Sequence, residues 1–389
     1  MRIAVLPYTT GGGLSTYALE LSEALVERGL DVTLLGVEKV ICSKALRYET
    51  IPHIEELNVV REPFLWNASI GASASRILQS SAVDIVHCVY PSLVPFIYPG
   101  EVIVSNGWFS PHDLWARLSI AIRMAPFSLS RLPELYGQAE YFLLDELGYG
   151  RSARVLAVTK ILEEGLRKKF GARVRYLPPG IKLSSYSRRK YSEDEKVIIA
   201  CIAADLENPR KGVSSLLRAL MLIEPALLKK VEIWLIGSYS DKLVHEVQIL
   251  RQRGCKSLKL LGYVPREKIL ELLLKIDILI CPSLYEEFGY VILEAMSAGV
   301  PIVATKINPL IDIVVHGVSG FLYVKENPRE LSHYVSLLIS DDSMRHKMGE
   351  EAWRRISEHF SWNSITQRIE NYYKEALNNP KPMSMEELI

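Results

Sequence analysis

Two carboxylates, an arginine–lysine pair and a glycine ahead of a helix are the residues of this chain whose types and spacing could do chemistry together. Glu286 and Glu294 stand with seven residues between them, inside the stretch Ile278 to Thr305. Gly289 falls between them, just before a run from Tyr290 to Ala298 that is patterned as a helix. Backbone without a Cβ passes close to a ligand there, and the N–H groups that open a helix attract a phosphate. A carboxylate next to a phosphate is unfavourable unless it accepts hydrogen bonds from hydroxyl groups. A nucleotide sugar offers both, with sugar and ribose hydroxyls on either side of a diphosphate. Arg210 and Lys211, followed by Gly212, place two cations where a diphosphate could meet them, the lysine as a point charge and the arginine as a fork. Spacing alone also allows the plainer reading: Glu286 as a loop charge, Glu294 on an exposed helix face, Lys211 in solvent.

The elements that must position these residues read as alternating strands and helices. Ile278 to Cys281 is an apolar run suited to a buried parallel strand, and Val300 to Ala304 is the next, with Gly299 at the end of the helix between them. The Glu286 loop then lies at the carboxyl end of a strand, where open α/β sheets bind ligands. Lys196 to Ala203 predicts a strand feeding the Asp205–Gly212 loop and a helix from Val213 to Met221. Strands at Val231–Gly237 and Leu258–Leu261 follow, the second ending at Gly262 and Tyr263 before a helix from Arg266 to Lys275. In the first half, Arg2–Pro7, Asp31–Gly36, Asp84–Val89, Glu101–Ser105 and Ala153–Thr159 read as strands, while 38–66 resists parsing. Gly11-Gly12-Gly13 between the first strand and a helical run is an anion site in principle, or a tight turn. It is not a dinucleotide fingerprint, because Thr16 stands at the third glycine position, and only Glu38 could serve as the ribose acid of a dehydrogenase. His87 reads as a packed strand residue. The alternation in both halves predicts an α/β chain of two similar domains.

The string Pro282-Ser283-x-x-Glu286-x-Phe288-Gly289, continued by Leu293-Glu294-Ala295-Met296-x-Ala298-Gly299-x-Pro301-x-Val303-Ala304-Thr305, resembles the donor-site signature of the retaining nucleotide-sugar glycosyltransferases of family four. The resemblance implies a GT-B fold, two doubly wound Rossmann-like domains facing each other across a cleft. It implies that Glu286 contacts the transferred sugar, that Phe288 and Gly289 present backbone to sugar and phosphates, and that Glu294 holds the ribose. Lys211, with Arg210, would complete the catalytic set and the diphosphate site. Gly12 and Gly13 would face the diphosphate from the first domain, and Gly262 and Tyr263 would meet the base. Asn106 takes the place of a histidine common in the acceptor cleft, and His112 follows six residues on. Three further departures stand out: Asp205 near the place of an arginine, Pro179 for asparagine in Pro-Pro-Gly, and Asn308-Pro309 where two glycines are usual. The implied layout is an acceptor domain over 1–182, a linker over 183–195, a donor domain over 196–362 and a returning helix with a tail over 363–389.

Bulk properties narrow the class. At 389 residues the chain suits two domains, and a net charge of +1 gives no pull towards nucleic acid. Five scattered cysteines without a Cys-x-x-Cys pair, and no run of about 20 apolar residues, point to a cytoplasmic protein with reduced thiols. Leu114 to Leu132 reads as a helix packed on the first domain or resting on a membrane surface. The cation-rich block from Arg151 to Lys190 suits peripheral contact with an anionic leaflet, or a solvated face and a linker. No Asp-x-Asp occurs, so neither a metal nor another cofactor is expected and the nucleotide sugar is a co-substrate. The expected activity is transfer of a hexose-type sugar to a hydroxyl of a saccharide, glycolipid or lipid-linked glycan. The alternatives are a non-catalytic partner subunit of the same fold and a nucleotide-sugar epimerase.

Overall fold

A computed structural model describes residues 1–7, 13–36, 46–51, 63–97, 103–107, 143–183, 196–252, 255–286 and 288–380. Contacts group the chain into two units, Met1–Gly180 with Trp362–Ile389, and Ile181–Ser361.

The first unit is built on a seven-stranded parallel sheet, β1 (Arg2–Leu6), β2 (Asp31–Gly36), β3 (Arg47–Thr50), β4 (Ile85–Cys88), β5 (Ile103–Gly107), β6 (Arg154–Ala157) and β7 (Val174–Tyr176), in the order β3-β2-β1-β4-β5-β6-β7. Every residue of β4 and β6 is buried, so both faces of the sheet centre are covered, as parallel strands require. Helices packed on it include α1 (Gly13–Glu27), α2 (Pro63–Ser80) and α3 (Lys160–Phe170), together with the terminal helix Trp362–Asn378. α3 begins at Lys160, where the Thr159 side chain accepts a hydrogen bond from the Leu162 amide and caps the first turn. β3 and α2 account for part of the stretch that resisted parsing. The terminal helix is fixed at its start by Trp362. Its indole donates to Glu20 at 2.9 Å, its ring lies 5.5 Å from that of Tyr17, and its atoms occupy the space a Cβ on Gly180 would need. Gly180 and Trp362, far apart in sequence, are therefore two halves of one contact.

The second unit carries a six-stranded parallel sheet, β8 (Val197–Asp205), β9 (Val231–Ser238), β10 (Leu258–Gly262), β11 (Ile278–Cys281), β12 (Ile302–Thr305) and β13 (Gly320–Tyr323), ordered β10-β9-β8-β11-β12-β13. The chain moves outward in one direction from β8 to β10, returns to the middle at β11 and moves outward in the other. That reversal puts a topological switch point between β8 and β11. The helices of eight or more residues are α4 (Val213–Leu220), α5 (Asp241–Gln252), α6 (Arg266–Leu273), α7 (Tyr290–Ser297), α8 (Pro328–Ser340) and α9 (Asp342–His359). The core beneath them is aliphatic, with Ile199, Leu216, Leu235, Val303 and Leu331 all buried. α5 went unread in the sequence, since its polar face masks the three buried residues Leu243, Val247 and Leu250.

Candidate active site

The two loops at the switch point are locked together by backbone. The loop after β8 tightens into a 3-10 turn, Pro209–Lys211, where the Asn208 side chain accepts from the Arg210 amide. Gly212 then turns with φ +66° and begins α4. A Cβ there would lie 2.0 Å from the carbonyl oxygen of Pro282, in the loop after β11. The amide of Leu284 donates to the Arg210 carbonyl at 2.7 Å. The lysine-glycine pair is thus needed for two reasons: glycine admits the neighbouring loop, and that closeness carries Lys211 to Glu286.

Lys211 Nζ sits 2.6 Å from Glu286 Oε1, with the two side chains 19% and 9% exposed. Each charge offsets the desolvation of the other. Ser283 Oγ donates to the same carboxylate oxygen at 2.6 Å, and the Ser283 carbonyl in turn accepts from Thr305 Oγ1, at the end of β12. Both of these bonds to Glu286 fall on Oε1 and neither on Oε2. Of the three ammonium protons of Lys211, one is directed at Glu286. Ser283 and Thr305 were in the signature string but carried no assigned role; nothing in their spacing shows that they brace Glu286. Cys281 lies beside this group, and burial together with the Glu286 charge pushes its thiol up to about 11, so it stays protonated.

Past Glu286 the chain enters α7. Phe288 is buried, with its ring edge-on to Tyr290 at 5.9 Å. Gly289 takes φ +92° and opens α7. Glu294 is on the buried side of α7, 5% exposed, not on an exposed face. Its carboxylate meets Arg266 Nε of α6 at 2.7 Å. Arg266 was not among the sequence-derived candidates. Gly262 ends β10, and Tyr263 after it is 70% exposed, an aromatic ring presented to solvent at a strand end. Arg210 places its guanidinium 5.8 Å from the Tyr285 ring centroid. Asp205 caps its own turn by accepting from the Glu207 amide, so it does not stand in for the missing arginine. Leu310, in the segment that departs from the double glycine, is buried and packs beneath Gly289.

Candidates in the first unit fare differently. Gly12 and His112 lie outside the described residues, as do 114–132, and Gly13 is the first residue of α1. Asn106, expected on the acceptor side, is fully buried. Its amide donates to the Tyr17 hydroxyl at 3.2 Å, and its carbonyl oxygen accepts from His87 Nε2. His87 Nδ1 then accepts from the Tyr373 hydroxyl at 2.6 Å. Burial drives the His87 imidazole down to about 4, with the Asn106 bond opposing it, so the ring is neutral. This chain joins α1, β4, β5 and the terminal helix inside the unit.

Much of the cationic block is also committed internally. Lys169 pairs with Glu146, Arg167 with Glu163 and Arg175 with Glu375, while Arg173 donates to the carbonyls of Phe170, Gly150 and Ser152. Lys168 and Lys182 remain exposed. Among the described residues no helix is long and apolar enough to cross a membrane, and no group of three or more His, Cys, Asp or Glu is placed to hold a metal ion.

Comparison with known proteins places the chain among glycosyltransferases. Residues 185–355 match the family described as glycosyl transferases group 1, and residues 11–185 match glycosyltransferase family 4. An uncharacterized glycosyltransferase of Methanocaldococcus jannaschii is 25% identical over 97% of this chain and 99% of its own length. Among solved structures, sucrose-phosphate synthase from Thermosynechococcus elongatus superposes with a TM-score of 0.74 at 18% identity, covering 97% of this chain and 99% of the other. Anabaena HepE, crystallised with UDP-glucose, gives 0.65 at 18% identity over 96% and 99%.

Proposed function

Because this chain belongs to the family 4 glycosyltransferases with the two-Rossmann-domain GT-B fold, we propose that it moves a hexose-type sugar from a nucleotide sugar to a hydroxyl acceptor with retention of anomeric configuration. The observation that carries the reading is the Lys211–Glu286 pair, braced by Ser283 at the switch point of the second sheet. In this reading the anomeric carbon–diphosphate bond breaks and a bond to the acceptor oxygen forms. The hydroxyl proton leaves to the departing diphosphate or to water. Charge grows on the leaving diphosphate, where the free protons of Lys211, the Arg210 guanidinium and the N–H groups opening α7 are placed to meet it. Glu286 Oε2 takes a hydroxyl of the sugar, Glu294 a hydroxyl of the ribose, and the exposed Tyr263 ring offers a stacking face for the base. No metal is needed in this scheme, since cations and helix amides supply the stabilisation that a divalent ion would.

The departures that favour a non-catalytic subunit lose force here. Asp205 serves a local turn and the 308–310 segment packs beneath Gly289, and neither displaces Lys211 from Glu286. The acceptor is a saccharide, glycolipid or lipid-linked glycan, and exposed Lys168 and Lys182 are the described cations left to meet an anionic leaflet. The enzyme reading is tested with UDP-, GDP- and ADP-linked glucose, mannose and N-acetylglucosamine. A donor that binds only the folded protein raises its melting temperature. The donor so found should then yield an α-linked product with a hydroxyl acceptor, at a rate unchanged by a chelator. Stabilisation without release of nucleoside diphosphate under any acceptor would leave a binding subunit, and a β-linked product would remove retention.

A further inference from the structure

Arg266 stands at a position that helix stability does not explain. It is the first residue of α6, where the positive end of the helix dipole disfavours a cation, and Glu267 beside it is the residue that suits the site. Its guanidinium turns to the neighbouring α7 and meets Glu294 at 2.7 Å. Glu294 is 5% exposed, and an ionised carboxylate at that depth requires a charged partner. Arg266 also follows Tyr263 by three residues, with Val264 and Pro265 between, so one short segment carries both the exposed ring and the arginine.

We propose that Arg266 is a positioning residue that fixes the Glu294 carboxylate for the ribose hydroxyls of the donor and ties that grip to the Gly262–Tyr263 loop. The inference rests on the donor reading above and adds the residue that makes it selective for ribose. The Nε contact engages Oε1 from the side of α6 and holds one rotamer of a long, mobile side chain. Removing it takes a charged hydrogen bond from Oε1, so the carboxylate is held less firmly in the alignment that accepts the ribose hydroxyls. The diphosphate contacts of Lys211 lie on another loop and are untouched, so the loss falls on ribose recognition and not on chemistry.

The test titrates UDP, GDP and ADP, each beside its 2′,3′-dideoxy form, into the wild type and into Arg266→Ala and Arg266→Lys, with melting temperature and circular dichroism confirming folding. The wild type should prefer the ribo form of its nucleotide by about ten- to a hundredfold, the worth of charge-assisted hydrogen bonds. Arg266→Ala should bring that ratio to within about threefold by weakening only the ribo form, and Arg266→Lys, which keeps the cation, should restore part of it. In turnover, KM for the donor rises while kcat stays within about twofold, the pattern of lost uniform binding. A full ribose preference in Arg266→Ala overturns the inference, as does an equal loss for both sugar forms, which a merely structural role would give. If Arg266→Ala does not fold, Arg266→Lys and Arg266→Gln decide by the same ratio. Absence of binding by all three nucleotides overturns the donor reading itself, and the inference falls with it.

Discussion

Replacing Gly212 by alanine tests whether the approach of two loops, and not the presence of Lys211 alone, makes the site. Two costs arise at this position. An L residue in the left-handed region costs about 1–2 kcal/mol. The new Cβ would also stand 2.0 Å from the Pro282 carbonyl oxygen, a backbone atom that cannot swing aside. Overpacking of this kind costs about 1–3 kcal/mol more. Gly317 supplies the control: it has φ +76° and nothing within 4 Å of its built Cβ, so Gly317→Ala incurs the conformational cost only. Urea unfolding should therefore show a loss of about 1–2 kcal/mol for Gly317→Ala and about 2–5 kcal/mol for Gly212→Ala. Relief of the clash pushes the loops apart by about 1 Å and separates Lys211 from Glu286, and a displacement of that size lowers the rate by about a hundredfold. Gly317→Ala should keep the wild-type rate. Equal stability losses in the two variants, or a Gly212→Ala enzyme with wild-type kcat, would refute the reasoning.

Three other expectations follow from the same geometry. His87 is held at about 4 in the fold against an ordinary 6.5, so the unfolded chain binds the proton more readily; stability is full above pH 6.5 and falls as pH drops towards 4, by up to about 3 kcal/mol. Urea titrations at pH 7 and pH 5 should differ less in His87→Gln than in the wild type, and an equal difference would show that His87 does not contribute. Tyr263→Ala should weaken nucleotide binding by about 1–3 kcal/mol, the worth of base–aromatic stacking, with no change in melting temperature because the ring is exposed; unchanged affinity by calorimetry would remove the ring from the site. Ser283→Ala leaves Glu286 with one donor fewer and should lower kcat by about tenfold, since a hydrogen bond to a charged group is worth about 1.5–3 kcal/mol, while an unchanged kcat would make the contact incidental.

The second unit was legible in the sequence because its signals are local. Apolar runs mark β8, β9, β11 and β12, and the Glu286–Glu294 string sits on one strand–loop–helix unit, so strand end and site coincide. The partners of those acids were not legible, because Lys211 reaches Glu286 through a loop contact 75 residues away and Arg266 reaches Glu294 across two helices. The surroundings of Asn106 were not legible either. Its alignment with a histidine common in the acceptor cleft carries no sign of the packing that surrounds it with Tyr17, His87 and, beyond them, Tyr373 of the terminal helix. A polar residue at a strand end reads the same from sequence whether its partners are protein or ligand. β3 and α2 escaped for a related reason: β3 is a mostly exposed edge strand, and α2 mixes small and polar residues without a clean apolar stripe.

The central claim is that the Lys211–Glu286 pair holds the diphosphate and transferred sugar of a nucleotide-sugar donor. Isothermal titration of the donor selected by the thermal screen, together with its release as nucleoside diphosphate, into wild type, Lys211→Ala and Glu286→Ala tests this directly. Both variants should fold while transfer falls by orders of magnitude, and Lys211→Ala should bind the nucleoside diphosphate more weakly than the wild type. Transfer at near-wild-type rates in either variant would contradict it.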